Sequence, residues 1–213
     1  MFMAKVYHLG YTMPMHQHTY LQLMENNKAW VQDRLAENPR YFEELSKDQK
    51  PPFLFIGCSD SRKPIHLITQ TGPGELFIHR NIANQVSLTD MNVLSVLEFS
   101  IMTLQVQHII VCGHHGCGGV KAAITGQISG MVEDWIAGIR DLYSVHKANL
   151  ENLPLDDQVN RLSELNVLDQ LHNIHKTSVM QKAIKAGIAP QLHGWIFHMN
   201  TGLIHEVALS NDF

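Results

Sequence analysis

The chain has 213 residues, of which 45% are hydrophobic and 17% charged, and its formal net charge at pH 7 is −4. This length suits one domain with a sizeable core, and the slightly acidic balance excludes the basic surface that nucleic acids or anionic membranes require. No stretch approaches the roughly 20 apolar residues of a membrane span, and residues 1–20 lack a signal-peptide pattern, so we expect a cytoplasmic protein.

Residues 1–50 are predicted to form a helical arm that precedes the sheet. After an irregular start, apolar side chains recur at helical intervals over 19–38, and a second short helix is predicted at 41–47. Pro39 separates the two segments. The apolar stripe of the first helix must be covered either by the chain's own sheet or by a second subunit, and the pattern alone leaves both possibilities open.

The rest of the chain alternates strands with helices, which is typical of a mainly parallel sheet with helices on its faces. The predicted strands cover 53–57, 75–79, 108–112, 192–199 and 203–209, the last two forming an antiparallel pair at an edge. The predicted helices cover 63–69, 90–104, 117–124, 132–145 and 156–177, the last extended by 181–186. We therefore predict one α/β domain over residues 1–213, with a central sheet of four to five strands.

Two of the apolar strands lead into side chains that bind metals. The first is followed by CSDSR at 58–62, and the third by HHGCGG at 114–119. The carboxyl ends of parallel strands meet at one edge of a sheet, where open α/β folds bind their ligands. Two thiolates and one imidazole form a ligand set known from catalytic zinc sites. The pattern therefore predicts a Zn²⁺ site at Cys58, His114 and Cys117.

Asp60 and Arg62 are predicted to decide the fourth coordination position. Asp60 can reach the metal and close the site, or it can pair bidentately with Arg62 and leave the position to water. In the second case zinc lowers the pKa of the water from 15.7 to about 7 and generates hydroxide near neutral pH. A purely structural zinc site is the alternative. Cys112 is predicted to be a small buried hydrophobic residue, and His115 either carries protons or points away from the site.

In its motifs the chain resembles a β-class carbonic anhydrase over about residues 20–210. The matching elements are CSDSR and HHGCGG together with ELFIHRNIAN at 75–84 and LHGW at 192–195. The resemblance implies reversible hydration of CO₂ to bicarbonate and a proton by zinc-bound hydroxide. It assigns Cys58, His114 and Cys117 as fixed zinc ligands, and Asp60 and Arg62 as the pair that controls the fourth position.

The resemblance also implies an assembly, because the N-terminal helices of such proteins embrace a second subunit in homodimers or homotetramers. It therefore favours coverage of the 1–50 arm by another copy. Two alternative functions remain: a hydrolase of CS₂ or COS on the same scaffold, and a zinc-binding protein without catalytic turnover.

Some members of this family bind bicarbonate in a separate pocket that favours the closed state of the metal. The pocket uses a Trp, an Arg and a Tyr, at positions where this chain has Phe55, Arg80 and Phe197. Both phenylalanines keep an aromatic ring but lack the hydrogen-bond donor of the residue they replace. We therefore expect bicarbonate control through this pocket to be weak or absent.

Overall fold

The computed structural model describes residues 19–208, in two compact units that divide after Asp48. The first unit contains α1 (Tyr20–Glu37) and α2 (Tyr41–Leu45). A capping box starts α1, since the Thr19 hydroxyl accepts the Gln22 N–H while the Gln22 side chain accepts the Thr19 N–H. Both predicted helices of the arm are confirmed, whereas its predicted irregular start lies outside the described residues.

The second unit, from Gln49 onward, contains a five-stranded sheet flanked by helices. The strands are β1 (Phe53–Cys58), β2 (Leu76–Asn81), β3 (His108–His114), β4 (Gln191–His198) and β5 (Leu203–Ala208). The helices are α3 (Ile65–Thr69), α4 (Met91–Glu98), α5 (Gly118–Thr125), α6 (Met131–Trp135), α7 (Ala137–Leu150), α8 (Leu155–Lys176) and α9 (Ser178–Ala186). No helix in the described part of the chain is both long enough and apolar enough to cross a membrane.

The strand order is β2-β1-β3-β4-β5, with the first four strands parallel and β5 antiparallel to β4. This arrangement confirms the predicted mainly parallel α/β sheet and its antiparallel edge. Because β1 and β3 are neighbours, the segments that follow them begin side by side at the carboxyl edge.

Some element boundaries differ from the sequence prediction. The helix predicted over 132–145 is two helices, α6 and α7, because the chain leaves helical geometry at Ile136. The segment 181–186 does not extend α8: Thr177 is extended, and its hydroxyl accepts the Met180 N–H at the start of α9. Strand β3 also continues past its predicted end, so His114 is its last residue.

Helix α8 packs closely on β3 and β4 because both strands have a glycine beneath it. A Cβ atom at Gly113 would lie 2.8 Å from Val167 Cγ2, and one at Gly194 would lie 3.0 Å from Leu171 Cδ1. Real Cβ atoms essentially never approach a neighbour as closely as the first distance. This contact holds the carboxyl end of β3 against the longest helix of the described chain.

We expect Gly194→Val to lower the free energy of unfolding by about 1–3 kcal/mol, because the new side chain overlaps with α8. Urea unfolding followed by circular dichroism measures the change. The control is Gly138→Ala on α7, where a Cβ meets no atom within 4 Å. It should raise the free energy of unfolding by about 0.5–1 kcal/mol through helix propensity. If Gly194→Val unfolded with the same free energy as the wild type, the close packing of α8 on β4 would be contradicted.

Candidate metal centre

The three predicted metal ligands lie together at the carboxyl edge of the sheet. Cys58 is the last residue of β1, His114 is the last residue of β3, and Cys117 directly precedes α5. Their ligand atoms lie within 4.8 Å of one another, and all three residues are buried. The parallel pairing of β1 with β3 therefore joins two motifs that are distant in the sequence.

The segment between His114 and Cys117 turns sharply enough for both side chains to reach the same point. Gly116 has a φ of +66°, a left-handed conformation that glycine adopts without strain. Its N–H donates to Asn160 Oδ1 at 3.0 Å. At Gly119, a Cβ would lie 3.0 Å from Ile82 Cγ2, so only glycine fits there without displacing a neighbour. Gly116 thus allows the turn, and Gly119 allows α5 to pack closely against Ile82.

His114 presents one ring nitrogen that has no hydrogen-bond partner. Its Nδ1 lies 3.0 Å from the backbone oxygen of His115, which places the proton on Nδ1 and leaves the Nε2 lone pair free. Nε2 is buried and lacks a partner among the described residues. An unsatisfied buried polar atom costs about 1–3 kcal/mol. A metal ion at Nε2 would satisfy this atom.

A hydrogen bond between the two cysteines moves the pKa values of their thiols in opposite directions. The Cys117 thiol donates to the Cys58 sulfur, and this bond lowers the pKa of Cys58 to about 3. The same hydrogen bond, together with burial, raises the pKa of Cys117 above its usual range. A second thiolate at this distance requires a compensating positive charge. Two sulfurs and one imidazole nitrogen are a donor set that fits zinc.

Asp60 is paired with Arg62 beside these ligands. Arg62 Nε donates to Asp60 Oδ1 at 3.0 Å and Nη2 donates to Oδ2 at 2.7 Å, while the Arg62 backbone N–H also donates to Oδ1. The hydrogen bonds from Arg62 hold the pKa of Asp60 well below its usual range. Asp60 Oδ2 lies 3.7 Å from His114 Nε2. The carboxylate thus borders the metal centre while both its oxygens are bound to Arg62.

Arg80 on β2 fixes the loop that carries Asp60. Its Nε and Nη2 donate to the Cys58 carbonyl at 3.0 and 2.6 Å, and Nη2 also donates to the Asp60 carbonyl at 2.8 Å. The sequence suggested Arg80 only as part of a bicarbonate pocket. Its contacts with the backbone depend on the pairing of β1 with β2, which local sequence does not reveal.

Lys63 is a buried cation that no sequence pattern singled out. Its side chain is fully buried, and Nζ donates to the Cys112 carbonyl at 2.8 Å and approaches the Gly113 carbonyl and the Cys112 sulfur at 3.4 Å. Lysine is almost never fully buried without such partners. Lys63 therefore ties the loop after β1 to the part of β3 that leads into His114.

Two other residues near the ligands have different surroundings. Cys112 is fully buried, as predicted, and burial raises the pKa of its thiol. His115 Nε2 lies 3.2 Å from Glu164 Oε1, and its ring packs against that of His198 at 4.1 Å between centroids, with the two planes tilted by 50°. Neither residue belongs to the group of clustered ligand atoms in the described chain.

Comparisons with known proteins agree with this geometry. The family model described as carbonic anhydrase matches residues 53–204. A carbonic anhydrase of Emericella nidulans is 40% identical over 92% of this chain and 86% of its own length, and one of Candida albicans is 33% identical over 91% and 70%. The β-carbonic anhydrase CafA of Aspergillus fumigatus superposes with a TM-score of 0.84 at 36% identity, covering 89% of this chain and 91% of its own. A tetrameric β-carbonic anhydrase of Sordaria macrospora gives 0.84 at 35% identity, covering 88% and 95%.

We expect Cys117→Ala to weaken zinc binding by more than about 100-fold, beyond the 10–100-fold effect of changing a residue that only supports a ligand. Zinc content after dialysis against a chelator measures the loss. Cys112→Ala is the matched control, because it removes a second buried thiol that lies outside the ligand group. Loss of zinc from Cys112→Ala but not from Cys117→Ala would contradict the assignment.

Proposed function

Since the chain belongs to the β-carbonic anhydrase family, we propose that it catalyses the reversible hydration of CO₂ to bicarbonate and a proton. In this proposal Cys58, His114 and Cys117 hold one zinc ion. The observation that carries it is the bidentate pairing of Asp60 with Arg62, because this leaves three protein ligands for the metal. Catalytic zinc sites keep three protein ligands and an open position, whereas structural sites have four.

Asp60 has the properties of a residue that orients the reacting water. A bound zinc ion would supply the Lewis acidity that makes water nucleophilic near neutral pH. The Asp60 carboxylate stays ionised in that range because Arg62 holds its pKa low. An ionised carboxylate only accepts hydrogen bonds. Asp60 therefore fixes the direction of the water O–H and turns an oxygen lone pair toward CO₂.

We also propose that Asp60 has a second state, in which it is the fourth metal ligand and the site is closed. Reaching this state requires breaking the bonds from Arg62 Nε and Nη2. The Arg62 side chain is 61% exposed, so water can replace Asp60 as the partner of its guanidinium. The exchange then needs movement of two side chains and leaves the strand ends in place.

The arm formed by residues 1–50 is proposed to pack on a second subunit in a homodimer or homotetramer. Helix α1 has no buried residue, and Leu21, Leu23 and Met24 are exposed. Several exposed large apolar side chains on one helix are typical of an interaction surface. The solved enzymes of Sordaria macrospora, which this chain resembles, are tetrameric.

We expect Asp60→Asn to lower kcat for CO₂ hydration about 100-fold or more while zinc stays bound. The amide has no negative charge, so it pairs less well with Arg62 and no longer acts as a pure hydrogen-bond acceptor for the water. Stopped-flow assays with a pH indicator, combined with zinc analysis, measure both quantities. Asp156→Asn is the control, since that side chain is 89% exposed and should not affect the rate. Unchanged activity of Asp60→Asn would refute the mechanism.

The same assays separate the alternative functions. Sulfide release from COS with a higher kcat/KM than CO₂ hydration would indicate a hydrolase on this scaffold. A wild-type chain that holds zinc and lacks both activities would indicate a zinc-binding protein without turnover. Either result would overturn the proposed reaction without questioning the metal.

We expect bicarbonate to inhibit the enzyme only as a product that competes for the active site, with no additional inhibition through a second pocket. Phe55 and Phe197 are buried in an apolar cluster and offer no side-chain donor, while Arg80 donates to two backbone carbonyls. Initial hydration rates with sodium bicarbonate, compared with sodium chloride at equal ionic strength, test this expectation. Phe197→Tyr restores a hydroxyl and should increase the sensitivity. Strong inhibition of the wild type that disappears on replacing Arg80 would contradict it.

A further inference from the structure

Ala83 has a strained backbone next to the metal centre. It has a φ of 60° and a ψ of 29°, in the left-handed region, and the following Asn84 has a φ of 50°. This region is unfavourable for residues that carry a Cβ atom, and they remain in it only when their surroundings hold them there. Ala83 is completely buried. Interactions with neighbouring residues must therefore stabilise this conformation.

Two amide side chains donate hydrogen bonds to the Ala83 carbonyl and stabilise its position. Gln85 Nε2 and Asn166 Nδ2 donate to the Ala83 oxygen at 2.9 and 3.0 Å, and Gln85 Nε2 also donates to Asn166 Oδ1 at 2.7 Å. Gln170, one turn further along α8, donates to Asn166 Oδ1 at 3.0 Å and accepts the Val86 N–H at 2.7 Å. The buried amides therefore form a connected network around this carbonyl.

The N–H of Ala83, which belongs to the preceding peptide group, lies beside a candidate metal ligand. Ala83 packs in the same buried cluster as Cys58 and Cys117. Together with the Cys117 thiol, this N–H is a hydrogen-bond donor that lowers the pKa of Cys58. Groups that hydrogen-bond to a metal ligand orient that ligand and tune its affinity for the metal. A rotation of Ala83 out of the left-handed region would turn this N–H away from the sulfur.

We propose that Asn166 and Gln85 are positioning residues for Cys58, which hold Ala83 in the left-handed conformation so that its N–H donates to the Cys58 sulfur. The inference rests on the proposed zinc site. Asn166 has no ligand role in it, and its effect on the metal passes through the Ala83 backbone.

Replacing Asn166 with leucine tests this proposal, since leucine keeps the size of the side chain and removes the donor. We expect zinc affinity, measured by competition with a chelator, to fall about tenfold. In the protein loaded with cobalt(II), the thiolate-to-cobalt charge-transfer band should move to longer wavelength, because the sulfur loses a stabilising hydrogen bond. Ser163→Ala on α8 is the matched control: its buried hydroxyl donates to the Val159 carbonyl, so both readouts should stay unchanged.

A second substitution distinguishes positioning from a general effect on the core. Ala83→Gly in the Asn166→Leu background should restore most of the zinc affinity and the position of the cobalt band, since glycine adopts a positive φ without strain. If Asn166 only supports core packing, removing a further buried methyl group will worsen the variant, and the proposal is wrong. Should Asn166→Leu fail to fold, Gln85→Met removes the other donor and the same rescue applies.

The outcomes also separate this inference from the proposed function. Equal zinc affinity and equal cobalt spectra for wild type and Asn166→Leu would overturn the positioning role and leave the zinc site intact. Failure of the wild-type chain to bind zinc at all would overturn both.

Discussion

The structure depends on a charge constraint at the carboxyl edge of the sheet. Two buried sulfurs lie beside an imidazole whose Nε2 has no partner in the described chain, and a hydrogen bond from Cys117 lowers the pKa of Cys58. A divalent cation would allow both cysteines to ionise and would satisfy the imidazole nitrogen. Because the candidate ligands come from the ends of two strands and the start of a helix, a bound metal would also stabilise the packing of those elements.

The cations around this edge have different roles, which their exposure reveals. Arg80 and Lys63 use their donors mainly on backbone carbonyls, and they fix the loop after β1 to β2 on one side and to β3 on the other. Arg62 is mostly exposed and binds a carboxylate. The backbone is therefore held by one buried and one partly buried cation, whereas the guanidinium that binds Asp60 is accessible to water. This difference supports the proposal that Asp60 can leave Arg62 while the backbone stays in place.

The sequence was sufficient to predict that the three candidate ligands lie together, because their signals are local. Each of the motifs at 58–62 and 114–119 follows an apolar run, and parallel strands end at a common edge, so Cys58, His114 and Cys117 could be placed together before any coordinates. The pairing of Asp60 with Arg62 was one of two alternatives that their spacing allowed. The family comparisons confirm the resemblance to carbonic anhydrases, and the five-stranded sheet confirms the predicted fold class.

Interactions between distant segments could not be predicted in this way. The burial of Lys63 depends on carbonyls of β3, and Asn166 reaches a carbonyl 83 residues away in the sequence. In the sequence, Lys63 resembles a surface lysine, and Asn166 resembles the polar face of an amphipathic helix. The break at Ile136 and the separate start of α9 at Thr177 were missed because helical periodicity continues across both. Hydrophobic periodicity is averaged over a window of residues, so one residue that leaves helical geometry does not change the pattern noticeably.

The two phenylalanines lie on the strands next to the candidate metal ligands. In the register of β3 with β4, Phe197 lies opposite His114, and Phe55 lies on the same face of the sheet as Cys112. Neither aromatic ring carries a hydrogen-bond donor, and Lys63 Nζ, 5.9 Å from the centre of the Phe55 ring, donates to the Cys112 carbonyl. Arg80 likewise uses its donors on the Cys58 and Asp60 carbonyls. These cations are therefore engaged by the backbone, which supports the proposal that bicarbonate control through this pocket is weak.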